Sequence, residues 1–411
     1  LCLDYPGQSV FYSLFMTPRP ILITCPKRGT SYLEAELKQL NYPVVEVVDA
    51  GVFTEGTVED CWLLNLQIRT GLRVLYFLDE FEANTPDELY QNAGKISWNH
   101  WIPEDGYVCV ISSVLTESID NTQFARMKLK DAVVDQIRTE TGQRPDSGPD
   151  QTKTVLFLYW RDEKVMLYLD TSGRPLSNRG YRIHPWKAPV RESLAAAIIA
   201  ATRWDGQSNF VNPMCGSGTL AIEAALIALG RPPGFLRDNF GFMHFKAFDI
   251  ERFKEVRSTI AKSTRKRLDF KIMASDISPE AIEAARHNAR LSGVEHHIEF
   301  EVKDFRDISF PEPSGVLVIN PEYGARLGDE KQLINLYQDV GDFFKNKAAG
   351  YWAYVFTGNP RLGKRIGLRT TRKIEFYNGP IDCRLLEYEL YSGTRRTRFK
   401  DSTSKGNEKI V

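Results

Sequence analysis

From residue 210 to residue 391 the chain repeats one pattern: a short apolar run that reads as a strand, then a stretch with helical spacing. The runs are FVNP at 210, KIMAS at 271, IEFEV at 298, GVLVIN at 315 and YWAYVFT at 351. Helices are predicted at 218–229, 279–292, 331–345 and 360–366, and an alanine-rich helix from Val190 to Trp204 leads into the series. Strand–helix alternation with short gaps folds as a doubly wound α/β sheet. The last two runs, TRKIEFYN at 371 and CRLLEYELY at 383, leave no room for a crossover helix and are read as an antiparallel edge pair.

The first 170 residues have a different rhythm. Residues 17–75 read as a small α+β unit, with strands at 21–25 and 44–48 and helices at 31–40 and 57–70. Residues 76–172 form a second unit. It has a strand at 107–114, a helix at 122–142 and a hairpin at 154–173 that turns near Asp162 and Glu163. The helix is expected to bury Phe124, Met127, Ala132, Val133 and Ile137, with Gly142 as its C-terminal cap. Residues 173–204 are read as a linker and lead-in helix, 205–392 as the α/β domain, and 393–411 as a disordered polar tail. Residues 1–16 are expected to lack regular structure, with Met16 as the expected physiological start.

The chain is 42% hydrophobic and 26% charged, as globular proteins are, and no apolar run approaches the roughly 18 residues of a membrane span. The six cysteines are scattered without a C-x-x-C pair, so they read as reduced core thiols of a cytosolic protein, and no zinc site is expected. His184, His287, His296 and His297 lack both metal-ligand spacing and a partnered nucleophile. The net charge of zero hides an asymmetry: residues 1–170 carry 15 Lys+Arg against 25 Asp+Glu, and residues 171–411 carry 38 against 28. The asymmetry reads either as solvated faces of either sign or as a main phosphate-facing surface on the C-terminal half.

Four segments carry chemistry. NPMCGSGT (212–219) follows a strand and opens a helix; its glycines admit a ligand close to the backbone, and the helix start offers free N–H groups. It has neither a third glycine nor a Lys-Ser/Thr pair, which argues against dinucleotide and triphosphate sites. Asp276, after the next strand, is placed to accept ribose hydroxyls or to cap the helix that Ser278 and Pro279 begin. It lies 58 residues beyond Gly218, and a helical insertion at about 231–270 accounts for the excess. Asp304 and Phe305 follow the third strand, where they could hold a purine or be an ordinary loop carboxylate and a core ring. Asn320-Pro321-Glu322-Tyr323 ends the fourth. An amide oxygen and a proline carbonyl beside a flat ring can hold an exocyclic NH2 of a base by both hydrogens and aim its lone pair at a methyl carbon. Tyr323 would stack on the base, which must be single-stranded or flipped out.

At this point the residues resemble a family. QFARMKLKDAVVDQIR (123–138), GYRIHPWKAPVRESLAAAI (180–198), NPMCGSGTLAIEAALIA (212–228), SDISPEAIEAARHNARLSGV (275–294), INPEYGARL (319–327) and IGLRTTRKIEFYNGPIDCRLLEYEL (366–390) are similar to the class I S-adenosylmethionine-dependent methyltransferases. More narrowly, they resemble the THUMP-domain group that makes N2-methylguanosine in large-subunit (23S) ribosomal RNA. The resemblance implies a Rossmann-like seven-stranded methyltransferase sheet with one antiparallel strand, preceded by α+β ferredoxin-like and THUMP modules. It implies S-adenosyl-L-methionine as cofactor, held by Asn212, Pro213, Gly216, Gly218, Thr219, Asp276, Ile277, Asp304, Phe305 and Asn320. Asn320, Pro321 and Tyr323 would receive guanine. Arg126, Lys128, Lys130, Arg179, Arg182 and Arg326 would contact RNA.

Two positions depart from the family pattern. Asn212 stands where Asp is usual, and Glu322 replaces the second proline of Asn-Pro-Pro-Tyr; some relatives also carry a second methyltransferase domain, which is not expected within these 411 residues. The expectation is a cytoplasmic guanine-N2 methyltransferase acting on 23S rRNA in a ribosome-assembly intermediate, without metal, membrane or DNA. The alternatives are the same chemistry on transfer RNA, adenine-N6 methylation of DNA, which the THUMP-like half argues against, and a non-catalytic RNA-binding assembly factor.

Overall fold

All four residues of Val316–Ile319 are buried, as are those of Phe210–Pro213 beside them, which is what strands covered on both faces require. They are central strands of one of two sheets in a computed structural model that describes residues 15–117, 119, 121–184, 190–246, 248–324 and 330–391. Among these, one unit comprises residues up to 180 together with 231–264, and the other 181–230 together with 265 onward. The expected tail at 393–411 lies outside the described residues, as does most of the stretch 1–16. Phe15 is an exception to the expected lack of structure there: it is buried, edge-on to Trp101 at 4.7 Å.

The first unit is built on an eight-stranded sheet. Its strands are β1 (Arg19–Thr24), β2 (Glu46–Val48), β3 (Gly51–Gly56), β4 (Arg73–Glu82), β5 (Tyr107–Leu115), β6 (Asp146–Ser147), β7 (Thr154–Arg161) and β8 (Lys164–Asp170). They lie in the order β2-β3-β1-β4-β8-β7-β5-β6. The sequence reading leaves β3 and β4 unassigned. β4 matters most, because it pairs antiparallel with β1 on one side and β8 on the other and so joins residues 17–75 and 76–172 in one sheet. The β7–β8 hairpin turns at Asp162, whose φ of 53° is the left-handed conformation such a two-residue turn needs.

The helix Thr122–Thr141 corrects one expectation. It buries Ala125, Leu129, Ala132, Val133, Val134 and Ile137, whereas Phe124 and Met127 are 43% and 48% exposed. A stripe running through 125, 129, 132, 133 and 137 follows the helical period, and Phe124 and Met127 fall off it.

Residues 231–264 complete this core. Two short 3-10 segments, Pro233–Leu236 and Gly241–His244, precede the helix Ile250–Ala261, which Asp249 caps by accepting from the N–H of Glu251 and Arg252. Phe242 stacks on Trp62 at 5.8 Å, and Phe253 meets Trp62 edge-on at 6.1 Å. Gly234 lies so close that a Cβ would be 2.5 Å from the Leu66 Cα, so only glycine fits. The segment brings seven Lys+Arg and four Asp+Glu, which softens the acidity of this unit without reversing it.

The second unit has the seven-stranded sheet. Its strands are β9 (Phe210–Pro213), β10 (Ile272–Asp276), β11 (Glu299–Val302), β12 (Val316–Ile319), β13 (Trp352–Thr357), β14 (Arg372–Asn378) and β15 (Ile381–Glu389). Their order is β11-β10-β9-β12-β13-β15-β14, with β15 alone antiparallel to its neighbours, as expected for this fold class. The helix Thr219–Ala228 is apolar nearly all round and buried to match. The helix Pro279–Leu291 starts where Ser278 accepts from the N–H of Ala281 and proline takes the first turn. Strand order reverses between β9 and β12, and their pairing ends at Val211 and Leu317. Beyond those residues the two strands part, and such a switch point opens a crevice at the strand ends.

Candidate active site

The crevice is a cavity of about 300 Å³ in the second unit. Its floor is the turn after β9. Met214 takes φ 53° and Gly216 φ 54°, so the backbone coils tightly before the helix begins at Thr219. A left-handed methionine costs on the order of 1 kcal/mol, and the turn is held against it. Cys215 donates its N–H to the Ser275 carbonyl (3.0 Å), and Gly218 donates to the Cys215 carbonyl (2.9 Å). The Asp276 carboxylate accepts from the N–H of Gly216 (2.9 Å) with one oxygen and of Ser278 (3.0 Å) with the other. Asp276 thus braces the turn and the helix start, and it also lines the cavity.

Asn212 and Asn320 give the site its chemical character. Asn212 is buried near the end of β9, and its Nδ2 donates to the Val318 carbonyl of β12 at 2.8 Å, just past the last paired residues. That bond fixes the amide so that Oδ1 is the free end. Among the described residues, Asn212 Oδ1 is buried without a hydrogen-bond partner, and so is Asn320 Oδ1 directly after β12. Both residues line the cavity. A buried acceptor without a donor costs roughly 1–3 kcal/mol, and two of them on residues lining one cavity can accept N–H groups from a ligand.

The expected cofactor residues are for the most part brought together. Asn212, Gly216, Thr219, Asp276, Ile277, Asp304, Phe305 and Asn320 line the cavity, and so does Pro321. Pro213 is buried and does not line it. Gly218 does not either: a Cβ there would come within 2.9 Å of the Ala285 Cβ, so this glycine serves helix packing and its φ of 81° rather than ligand approach. Tyr323 also stands apart from the cavity lining. Its hydroxyl accepts from Asn378 Nδ2 at 3.1 Å, its ring meets Phe356 at 6.4 Å, and a Cβ on Gly358 would lie 2.8 Å from it. Burial raises the Tyr323 phenol above its ordinary range.

Asp304 is already engaged. Arg306 grips it with Nε (2.9 Å) and Nη2 (2.6 Å) and reaches Asp339 at 3.2 Å. The Arg306 bond holds the Asp304 carboxyl below its usual range. Phe305 is a core ring, edge-on to Phe343 at 5.4 Å, that also reaches the cavity. Val190, Met214, Cys215, Ser217, Leu220, Lys303, Arg306 and Leu336 line the cavity without having been singled out. Met214 to Ser217 could have been found by reading the whole turn; Leu336, on a later helix, carries no local signal.

The expected RNA contacts differ in how free they are. Arg179 is a correction. Its guanidinium is buried and donates to the carbonyls of Leu176 (2.8 Å) and Arg69 (2.6 Å), so it cannot meet a phosphate. Arg182 is paired with Glu192 at 3.1 Å. Arg126 donates to Ser112 Oγ at 2.8 Å, Lys128 pairs with Asp87 at 2.7 Å, and Lys130 pairs with Asp131. Arg326 lies outside the described residues.

Comparison with known proteins places this architecture. Residues 179–387 match the RMKL-like methyltransferase domain, 83–170 the THUMP domain and 20–75 the RlmL ferredoxin-like domain. The chain is 38% identical over 364 residues to the ribosomal RNA large subunit methyltransferase K/L of Psychromonas ingrahamii, covering 87% of this chain and 48% of that one. It thus spans about half the length of the first curated relatives it matches. The Synechocystis sp. protein slr0064 is 32% identical, with 94% of this chain and 100% of that one covered. Among solved structures, SMU.472, complexed with SAH, superposes with a TM-score of 0.82 at 27% identity, covering 92% of this chain and 99% of that one. The chain belongs to the RMKL-like methyltransferase family, in the form that carries THUMP and ferredoxin-like domains ahead of the methyltransferase domain.

Proposed function

We propose that this protein methylates the exocyclic N2 of a guanosine in 23S rRNA. The cofactor is S-adenosylmethionine, which supplies an electrophilic methyl carbon on a sulfonium. The orphaned Oδ1 of Asn212, the Asp276 carboxylate and the tight backbone at Gly216 suit its ammonium, its ribose hydroxyls and its methionine end. Asp304 and Phe305 suit its adenine edge and face, although Asp304 shares its oxygens with Arg306.

One observation carries the base reading: Asn320 Oδ1 is buried, has no donor among the described residues, and belongs to a residue that lines the same cavity as the turn after β9. The guanine N2 lone pair is delocalised into the ring, so the amine is a weak nucleophile. Accepting its two hydrogens at Asn320 Oδ1 and the Pro321 carbonyl turns the lone pair toward the methyl carbon. The same bonds strengthen as positive charge grows on nitrogen in the transition state. Transfer is direct, and the proton leaves to solvent afterwards. Tyr323, held by Asn378 at the edge of this loop, is the ring on which the base would stack once the loop receives RNA. The THUMP match and the relatives named for large-subunit rRNA support RNA as the polymer.

Asn320→Ala tests the reading. Methyl transfer to RNA should fall by roughly 10²–10³-fold, the effect of losing one aimed hydrogen-bonding group, while S-adenosylhomocysteine affinity in calorimetry changes only a few-fold. Transfer at the parent rate would sink the mechanism.

A further inference from the structure

Three carboxylates line the cavity: Asp276, Asp304 and Glu322. Asp276 accepts from two backbone N–H groups, and Asp304 is gripped by Arg306. Glu322 is exposed, and among the described residues it has no hydrogen-bond or ion-pair partner. The cavity's own cations do not claim it, because Lys303 pairs with Glu301 at 3.3 Å and Arg306 with Asp304 at 2.6 Å. Glu322 follows directly on Asn320 and Pro321, the two residues whose oxygens suit an exocyclic amine. An uncommitted carboxylate therefore lines the same cavity, next in sequence to those two residues.

The next atom of the base edge discriminates among purines. Beside its 2-amino group guanine has N1–H, a donor. A purine without the 6-keto group presents a lone pair there. An ionised carboxylate only accepts, so it gains a charge-assisted hydrogen bond from the first and meets repulsion from the second. Resting on the guanine-N2 reading above, we infer that Glu322 is the specificity-determining residue for the base. Its carboxylate accepts the guanine N1–H and excludes purines whose N1 is bare. Drawing density out of that N–H bond also enriches the N1–C2–N2 system and so the attacking nitrogen. Because the side chain is exposed, its substitution leaves the fold intact.

The test compares two bases. RNA from cells lacking the gene is methylated with the purified full chain and labelled S-adenosylmethionine, and the modified position is mapped. Synthetic RNA spanning it then carries either guanosine or 2-aminopurine riboside, which keeps the 2-amino group and lacks N1–H. The parent should prefer guanosine in kcat/KM by about 100-fold, the scale of one hydrogen bond to a charged group plus the intrinsic difference between the amines. The intrinsic part cancels when the same ratio is measured in variants. In Glu322→Gln, whose amide can accept from N1–H or donate to bare N1, the ratio should fall about 10-fold through gain on 2-aminopurine. In Glu322→Ala it should fall through loss on guanosine. A ratio unchanged in both variants overturns the role of Glu322 while the N2-methylguanosine product still stands. A parent that makes no N2-methylguanosine overturns the function proposed above and this inference with it.

Discussion

Asn212 does two jobs with one amide. Its Nδ2 replaces a ladder bond where β9 and β12 separate, and its Oδ1 has no partner among the described residues. The two can be separated. Asn212→Ala loses both, so cofactor affinity should drop about 10-fold and the protein should lose roughly 1–2 kcal/mol, the worth of a buried hydrogen bond. Asn212→Asp keeps the acceptor but turns a carboxylate toward the Val318 carbonyl. Affinity should hold while the melting midpoint falls by a few degrees, at about 2–4 °C per kcal/mol for a unit of this size. Cofactor titration and thermal unfolding of the same samples check both, and equal stability of all three proteins would show that the strand tie contributes nothing. At this scale the sequence was legible where residue type and strand end coincide, as at Asn212, Asp276 and Asn320. It misled at Gly218, where the demand for glycine comes from Ala285 on another helix, and at Arg179, where a cation expected on RNA is spent on two backbone carbonyls. Ala285 and Arg69 are both far away in sequence, and only Leu176 is near.

At the scale of elements, the antiparallel end of the sheet is held by a buried charge. Glu387 on β15 is fully buried; it accepts from Arg372 of β14 (Nε, 2.8 Å) and from the Tyr354 hydroxyl of β13 (2.9 Å), and it pairs with Arg203 at 3.4 Å. Arg203 in turn lies 4.0 Å from the Trp352 ring centre. Burial works against the Glu387 charge, but the bonds from Arg372 and Tyr354 outweigh it and hold the carboxyl below its ordinary range. A folded-state value below the unfolded one means stability that is full above the ordinary glutamate range and is lost as pH falls through the lowered value. Glu387→Gln should therefore cost roughly 1–3 kcal/mol at neutral pH, less than a fully buried pair because both arginines are nearly half exposed. It should also flatten the acid limb of the stability curve, and urea unfolding from pH 3 to 7 reads both. An unchanged acid limb would contradict it. The pairing of β14 with β15 could be read from their spacing. The buried Glu387 could not, since nothing in CRLLEYELY separates it from the exposed Glu389, and Arg203 is 184 residues away.

At the scale of the whole molecule, the chain is not a string of modules. β4 welds residues 17–75 to 76–172, and residues 231–264, interrupting the methyltransferase sequence, complete the core of the N-terminal unit. The extra length between Gly218 and Asp276 was legible, but its destination was not, because its aromatic residues find Trp62 only in three dimensions. Phe240, Phe242, Phe245, Phe253 and Val256 are buried there. At about 2 kcal/mol each, as an upper bound, they match the 5–15 kcal/mol by which a domain is stable at all. Replacing 231–264 by a short Gly/Ser linker should yield protein that aggregates or shows no cooperative melt; a soluble product with a parental melting profile would contradict this.

Nucleoside mass spectrometry of fractionated RNA from cells lacking the gene reads out the chemical identity of the product. The loss of one N2-methylguanosine from large-subunit rRNA, restored by the parent chain and not by Asn320→Ala, is the predicted result. An undiminished N2-methylguanosine content in that RNA, with the loss found in transfer RNA or at another base, would contradict it.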